Sequence, residues 1–408
     1  MTKSARARIA LATGNLAGWA SRATGRGAGT QISGRAMLAI DPSLLTELAD
    51  TRRIAVVSAT NGKTTTAHLL TEALRGSGQR VASNHTGANM PAGIAAALGR
   101  DDAPVAVLEV DERWVPPVAE EIDIELLVLG NLTRDQLDRF GEVRGIAQRW
   151  RKLCEAQPQI AIVANASDPH IVWAVEPAKS VIWVALGAPW RGDAATCPSC
   201  AALLSWSADR FDCADCGFAQ PDTPNRLEGD ELVLGSTRVA LPGSLPGHWN
   251  RMNAALALTT AIEHFGVDAP AAARALASVR VISGRFSSRP LGDGREAKII
   301  LAKNPAGWTE VLRWIEGRDT AVVLAVNAHV ADGRDPSWLY DVPYELLRGM
   351  QVAASGERSL DVAVRLEYGG VPCIVESDPL RAARNLRGRD VHVIASYTQF
   401  TALTKRSW

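Results

Sequence analysis

The run from Arg53 to Gly76, RIAVVSATNGKTTTAHLLTEALRG, most constrains the fold. Its first six residues are centred on Ile54, Ala55, Val56 and Val57 with no polar alternation, which reads as a strand buried on both faces. The last part reads as a helix ended by glycine. Between them, SATNGKTTT (58–66) resembles a phosphate-binding loop. A helix N-terminus after a buried strand offers unpaired N–H groups and a positive dipole end, both suited to phosphate. Gly62 lets the backbone approach a phosphate without a Cβ, Lys63 supplies a point charge, and Thr64 offers a hydroxyl to Mg²⁺. The common pattern G-x-x-x-x-G-K-[ST] would place its first glycine at Val57, so this loop is a variant. Ala59 would be strained if its backbone required φ > 0.

The theme repeats along the chain. RVASN, APVAVLEVDE, IELLVLGNLT, QIAIVAN and SVIWVAL read as further buried strands, with helices such as AGIAAALG between them. Strands alternating with helices imply a parallel α/β sheet with ligands at the strand C-terminal ends. A second set, EAKIILAKNP, DTAVVLAVN, GVPCIVES and RDVHVIAS, follows a boundary near Gly284 and reads as a smaller Rossmann-like α/β domain. The expected organisation is therefore an N-terminal arm over 1–50, a central domain over 51–283 and a C-terminal domain over 284–408. A module of about 189–224 interrupts the central domain.

That module holds Cys197-Pro-Ser-Cys200 and Cys213-Ala-Asp-Cys216, with twelve residues between the pairs. Two such knuckles bring four thiolates onto one ion and close a tetrahedral shell, the pattern of a structural zinc ribbon. A redox C-x-x-C would need only one pair at a helix start. Cys154 and Cys373 stand alone, so cysteine usage fits a reducing, cytoplasmic compartment rather than a disulfide framework.

Lys+Arg and Asp+Glu both number 44, so no global basic field points to nucleic acid. No apolar run approaches the ~20 residues of a membrane helix. The N-terminal arm, basic and then apolar but broken by Gly14 and Asn15, reads as an amphipathic helix rather than a secretion signal, and could rest on a membrane surface.

Four other places carry chemistry. Glu109 ends a strand beside the loop, where a carboxylate can reach Mg²⁺, although Glu109, Asp111 and Glu112 also fit a solvated charge run. Asn250 and Asn253 lie at a loop-to-helix junction and could bind a base or phosphate, or cap the helix. Lys303 ends a strand as a phosphate contact or a surface lysine. Asp332, Asp335 and Asp341 crowd a loop after the strand AVVLAV, the edge where function concentrates.

Together these segments resemble the Mur ligases. SATNGKTTT matches that family's T-G-T-N-G-K-[ST] loop except at Ala59, and NLTRDQLDRFGE, GHWNRMNAALA, SGRF and LAKNP stand where the family has its other motifs. The closer resemblance is to the MurT branch, through the GRGAGTQISGRAMLAIDPSLL arm, the Cys₄ insertion, KNPAGW and the run from ADGRDPSWLYDV to SGERSLDVAVRLEYGG. The resemblance implies a ligase that uses ATP and Mg²⁺ to activate a carboxylate as an acyl phosphate. It also implies a GatD-type glutaminase partner supplying ammonia, and the D-glutamate of lipid II as the group amidated. It carries ATP binding onto Thr60, Asn61, Gly62, Lys63, Thr64, Thr65, Asn250, Asn253, Arg285 and Lys303, Mg²⁺ onto Thr64 and Glu109, and catalysis onto Lys63 and Glu109. An aspartate completing the partner's Cys–His pair is carried onto Asp335, ahead of Asp341 and Asp332. Gln136 replaces the family's metal-binding histidine, Trp249 stands in a His or Tyr position, and Lys303 replaces another histidine. Two other readings stay open: a stand-alone amino-acid-adding or folylpolyglutamate-type ligase, and a zinc-ribbon protein whose nucleotide loop is a switch.

Overall fold

The computed structural model describes residues 4–24, 29–84, 88–135, 143–243, 247–279, 286–292, 294–388 and 390–405. The chain divides into two units, one of residues 1–132, 143–188 and 194–280, the other of residues 133–142, 189–193 and 281–408.

The first unit is built on six parallel strands: β1 (Arg53–Ser58), β2 (Val81–Ser83), β3 (Val105–Glu109), β4 (Leu126–Leu129), β5 (Ala161–Asn165) and β6 (Val181–Val184). They lie in the order β2-β3-β1-β4-β5-β6. Each of these strands falls in a run whose lack of alternation predicts burial on both faces. β1 sits between β3 and β4, where the order of strand addition reverses, and ligands of open α/β sheets bind at such a point. The register pairs Val57 with Glu109 and Ser58 with Leu129, so three strand ends meet at one place.

Three helices precede this sheet within the same unit: α1 (Ala5–Ala23), α2 (Thr30–Ile40) and α3 (Leu44–Ala49). Ser4 caps α1 by accepting from the Ala7 N–H, and its own N–H and hydroxyl donate to Glu47 at 2.8 and 2.9 Å. Small residues of α1 (Ala7, Ala10, Gly14, Gly18) are buried on the side facing α2. The arm is thus a packed helical layer.

After β6 comes a two-stranded hairpin, β7 (Ser205–Ser207) with β8 (Arg210–Asp212), and then an antiparallel sheet of β9 (Arg226–Glu228), β10 (Glu231–Leu234) and β11 (Thr237–Ala240). The sequence reading has no strand over 226–240. These strands are three or four residues long, and Arg226, Glu228, Glu231 and Arg238 pair across an exposed face, so charge masks the apolar positions.

The second unit has a six-stranded sheet in the order β12-β13-β17-β14-β15-β16. Its strands are β12 (Phe286–Gly292), β13 (Arg295–Leu301), β14 (Ala321–Ala325), β15 (Gln351–Ser355), β16 (Cys373–Val375) and β17 (Asp390–Ala395). The four strands expected here are β13, β14, β16 and β17, and all run parallel. Two were missed. β12 contains Pro290 and lies antiparallel at the edge with an irregular register, a setting in which a sheet tolerates proline. β15, QVAAS, is made largely of small residues, so its near-complete burial leaves little apolar signal.

Candidate active site

The loop Ala59–Gly62 leaves β1 and turns into the helix Lys63–Gly76. Gly62 has φ +88°, and a Cβ there would fall 2.2 Å from Asn253 Oδ1. Both the backbone angle and the close approach therefore require glycine. Thr66 Oγ1 lies 3.3 Å from the same Asn253 oxygen, which brings the helix His248–Thr259 onto the loop. Asn250 is buried one turn earlier on that helix.

Ala59 is not among the described non-glycine residues with positive φ, which are Thr51, Ala201 and Ala208. The strain considered for it is absent. It is buried, and its Cβ stands 3.0 Å from where Gly130 would carry one, so the missing side chain at Gly130 makes room for Ala59.

Asn131 holds the loop from the end of β4. Its carbonyl accepts from the Thr60 N–H at 2.9 Å, its Oδ1 from the Asn61 N–H at 3.0 Å, and its Nδ2 donates to the Asn61 carbonyl at 2.8 Å. Sequence reasoning quoted the segment NLT without giving this asparagine a role. Its position directly past a buried strand end, next to the loop strand, is the signal that could have found it.

Lys63 points back into the loop. Its Nζ donates to the Ala59 carbonyl at 3.0 Å and pairs with Glu112 Oε2 at 3.1 Å, and both side chains are buried. Trp150 Nε1 donates to the Glu112 carbonyl at 2.8 Å and fixes the turn that carries it. Of the acidic run after β3, Glu112 serves Lys63 and Asp111 pairs with Arg113. A solvated charge run does not describe these residues.

Glu109 ends β3 fully buried. Asn89 Nδ2 donates to its Oε1 at 3.2 Å, and Asn84 bonds both its N–H and its carbonyl at 2.8 Å. Oε2 is buried and has no hydrogen-bond partner among the described residues. A buried carboxylate oxygen without a donor is costly, and a cation satisfies it. The residue therefore fits the metal-ligand role expected of it.

The four module cysteines form a second cluster whose sulfurs all lie within 4.8 Å of one another. Cys197 and Cys216 sulfurs are 3.7 Å apart, Cys200 and Cys213 3.5 Å. A tetrahedral ion with Zn–S of about 2.3 Å has edges of about 3.8 Å, so the set fits zinc. The two knuckles repeat one another: the Ala201 N–H donates to the Cys197 carbonyl as the Gly217 N–H does to that of Cys213, each at 2.9 Å. Their φ values are +67° and +74°, so an alanine occupies the position for which glycine is suited. Burial pushes the Cys213 thiol up, but N–H groups of Cys216 and Asp215 and the neighbouring thiols outweigh it and hold it at about 7. Phe211 stacks on Phe218 at 5.5 Å and meets Trp206 edge-on at 5.6 Å, in one cluster with Val172 and Trp183.

In the second unit, a cavity is lined by Arg134, Lys303, Asp332, Asp335, Trp338 and Asp341 among others. Lys303 pairs with Asp135 at 3.1 Å, and Arg134 bridges Asp193 at 2.6 Å and Asp341 at 3.0 Å. Asn304 caps the helix Pro305–Ile315 by accepting from the Gly307 N–H. The three aspartates differ in availability. Asp332 is buried and accepts from the Thr398 N–H and hydroxyl at 2.8 and 2.6 Å and from the His329 N–H at 3.2 Å. Asp341 is engaged by Arg134. Asp335 is exposed and held by the Ser337 N–H and hydroxyl, each at 2.9 Å. Arg285 and Gln136 lie outside the described residues.

Comparison with known proteins agrees with this architecture. A family described as the Mur ligase middle domain matches residues 57–188, and one described as MurT ligase C-terminal matches residues 301–400. The structure resembles a pseudomurein peptide ligase type C from Methanothermus fervidus, with TM-score 0.66, 16% identity, and 87% of this chain and 79% of that one covered. It also resembles a folylpolyglutamate synthase from Mycobacterium tuberculosis complexed with ADP, with TM-score 0.61, 17% identity, and 89% and 92% covered. The fold and the loop define a Mur ligase, as the sequence motifs imply. The lipid II isoglutaminyl synthase (glutamine-hydrolyzing) subunit MurT of Staphylococcus aureus is 30% identical over 91% of both chains, and that of Streptococcus pneumoniae 29% identical over 91% of both. The chain belongs to the MurT family of Mur ligases.

Proposed function

We propose that this chain is the ATP-using subunit of an enzyme that amidates the α-carboxyl of D-glutamate in the stem peptide of lipid II, giving D-isoglutamine. The observation that carries the reading is the likeness to two MurT subunits over nine-tenths of the chain, which takes in the loop and the C-terminal region together.

The chemistry suits the residues. The substrate carboxylate attacks the γ-phosphorus of ATP, ADP departs, and an acyl phosphate forms. Ammonia then attacks the carbonyl carbon, inorganic phosphate leaves with the bond electrons, and the amine loses a proton. Lys63, moving from Glu112 to the β- and γ-phosphates, offsets charge on the transferring group. Thr64 and Glu109 would hold Mg²⁺, which would stabilise the same charge. Thr60, Asn61 and Thr65 line the phosphates, and Asn250 and Asn253 support the nucleotide from the facing helix. The Cys₄ cluster would hold a structural zinc, because a closed thiolate shell leaves no position for water.

Ammonia comes from a GatD-type glutaminase partner. The second unit offers a surface for it: Leu360, Val364 and Tyr368 are exposed one above another along the helix Ser359–Tyr368. Asp335 supplies the acid that orients the partner's catalytic histidine. Co-expression with a GatD-type glutaminase, followed by mass analysis of lipid II, tests the reading. A one-unit mass loss that needs both chains is expected. Turnover with ATP and an amino acid but no partner would replace it with a stand-alone ligase.

A further inference from the structure

Helix α1 has two faces. Ala7, Ala10, Gly14, Gly18 and Ser21 turn inward and are buried. The opposite face carries Ile9, Leu16 and Trp19, which are 60%, 64% and 61% exposed. At 100° per residue these three fall within an arc of about 80°. Three large apolar side chains in one ridge are unusual on a surface that meets only water.

Charge is distributed around this ridge. Arg6, Arg8 and Arg22 are exposed and flank it, and α1 contains no acidic residue. The bias extends further along the sequence. Lys3, Arg6, Arg8, Arg22, Arg26 and Arg35 all precede Asp41, the first acid, in a chain whose charges balance overall at 44 each. α2 adds an exposed Ile32 and Arg35. An apolar ridge bearing tryptophan between arginines is the composition of a helix that lies in the headgroup region of an anionic bilayer. The arginine stems can lie along the acyl boundary with their guanidinium groups on lipid phosphates. The helix is also already formed and fastened, through Ser4 to Glu47 and Arg6 Nε to the Ile40 carbonyl, so docking does not have to order it.

We propose that the outward face of α1 is a docking surface for an anionic lipid bilayer, with Ile9, Leu16 and Trp19 entering the interface and Arg6, Arg8 and Arg22 engaging lipid phosphates. The ridge and its charge carry this without the amidation reading. If a lipid-borne stem peptide is the substrate, docking holds the enzyme in the plane where that substrate diffuses.

The test is flotation of the full chain with vesicles of phosphatidylcholine and phosphatidylglycerol, and with phosphatidylcholine alone, both free of lipid II. Binding to the anionic vesicles is expected, weakening with added salt. The double variant Leu16→Glu/Trp19→Glu should bind at least about tenfold less, and Arg8→Gln about fivefold less. All three positions are exposed, so melting temperatures should match the parent. Leu16→Ser/Trp19→Ser repeats the test without added charge. On a water-soluble stem peptide the double variant should amidate at the parent rate, which separates this inference from the catalytic one. Failure of the parent to float with anionic vesicles, or equal flotation of the variants, overturns the proposal. So does self-association in sedimentation that Leu16→Glu/Trp19→Glu abolishes without vesicle binding, which would make the ridge an interface between copies.

Discussion

Lys63 and Glu112 form an ion pair with 3.1 Å between Nζ and Oε2, and both side chains are almost wholly buried. The pair explains how a lysine can be kept inside a protein core. Its charge is balanced by an acid that follows β3, and Ala59 accepts a second hydrogen bond. Removing one partner leaves the other charge buried and alone, which costs about 3–5 kcal/mol. Lys63→Ala should therefore abolish amidation and also lower stability by roughly that amount. Lys63→Met with Glu112→Gln removes both charges and should recover most of the stability in urea titrations while amidation stays absent. Turnover in either variant would show that the loop does not handle the phosphates.

Asn131 gives the loop three hydrogen bonds from the neighbouring strand end. Asn131→Ala should raise the KM for ATP and leave the fold intact, because the loop loses its register and not its helix. Steady-state kinetics with a urea titration alongside would separate this from general destabilisation. An unchanged KM would mean that Gly62 and the facing helix position the loop without it.

The knuckles make a prediction about one residue. Ala201 adopts φ +67° where its counterpart is Gly217. The left-handed region costs an L-residue roughly 1–2 kcal/mol, so Ala201→Gly should stabilise the module unless the gain in unfolded-chain entropy cancels it. One zinc per chain is expected by elemental analysis, and none in Cys213→Ser. In that variant hydrogen exchange should rise over residues 194–224 and not in the six-stranded sheet. A metal content near zero in the parent would remove the zinc assignment.

How much of this was legible beforehand follows from where the apolar signal is strong. β1, β3, β4 and β5 are buried on both faces, so unbroken runs of Val, Ile, Leu and Ala announced them. The turn from strand to helix was legible because glycine, lysine and threonine at fixed spacing directly follow a buried strand. Asn131, Asn84, Asn89 and Glu112 were not, because each acts on a neighbour 20 to 70 residues away, and no spacing rule links them. The exposed ridge of α1 was visible only as general amphipathicity. Which side of a small-residue helix faces inward depends on what packs against it. The difference between the buried Asp332 and the exposed Asp335 and Asp341 likewise lies in packing, which the sequence does not carry.

Those aspartates now separate experimentally. Asp335→Asn should cut glutamine hydrolysis by the partner and spare amidation driven by free ammonia. Asp332→Asn should instead destabilise the second unit by about 1–3 kcal/mol, because the buried hydroxyl and N–H groups around it lose charged acceptors. Asp341→Asn should loosen only its contact with Arg134. Loss of both glutamine-driven and ammonia-driven turnover in Asp335→Asn, with folding intact, would count against the role given to it.

The second unit also carries a titrating group with a defined effect on stability. His392 in β17 is buried, with Nδ1 2.9 Å from Thr320 Oγ1 and the Trp314 ring edge-on at 5.1 Å. Burial first, and then Lys298, hold it at about 4, well below its ordinary 6.5. In the unfolded chain it takes up a proton as pH falls through 6.5, whereas in the folded unit it does so only near 4. Between these values the unfolded state binds more protons, so stability falls with falling pH. The window of about 2.5 units corresponds to roughly 3 kcal/mol once pH reaches 4, with no loss above 7. Other acid-sensitive groups contribute too, so the comparison is with His392→Gln, which keeps a hydrogen-bonding side chain and cannot titrate. Urea midpoints at pH 7 and pH 5 should fall further in the parent than in the variant, by about 2 kcal/mol after conversion. Equal falls would mean that His392 is solvated in the folded protein and titrates as it does in an unfolded chain.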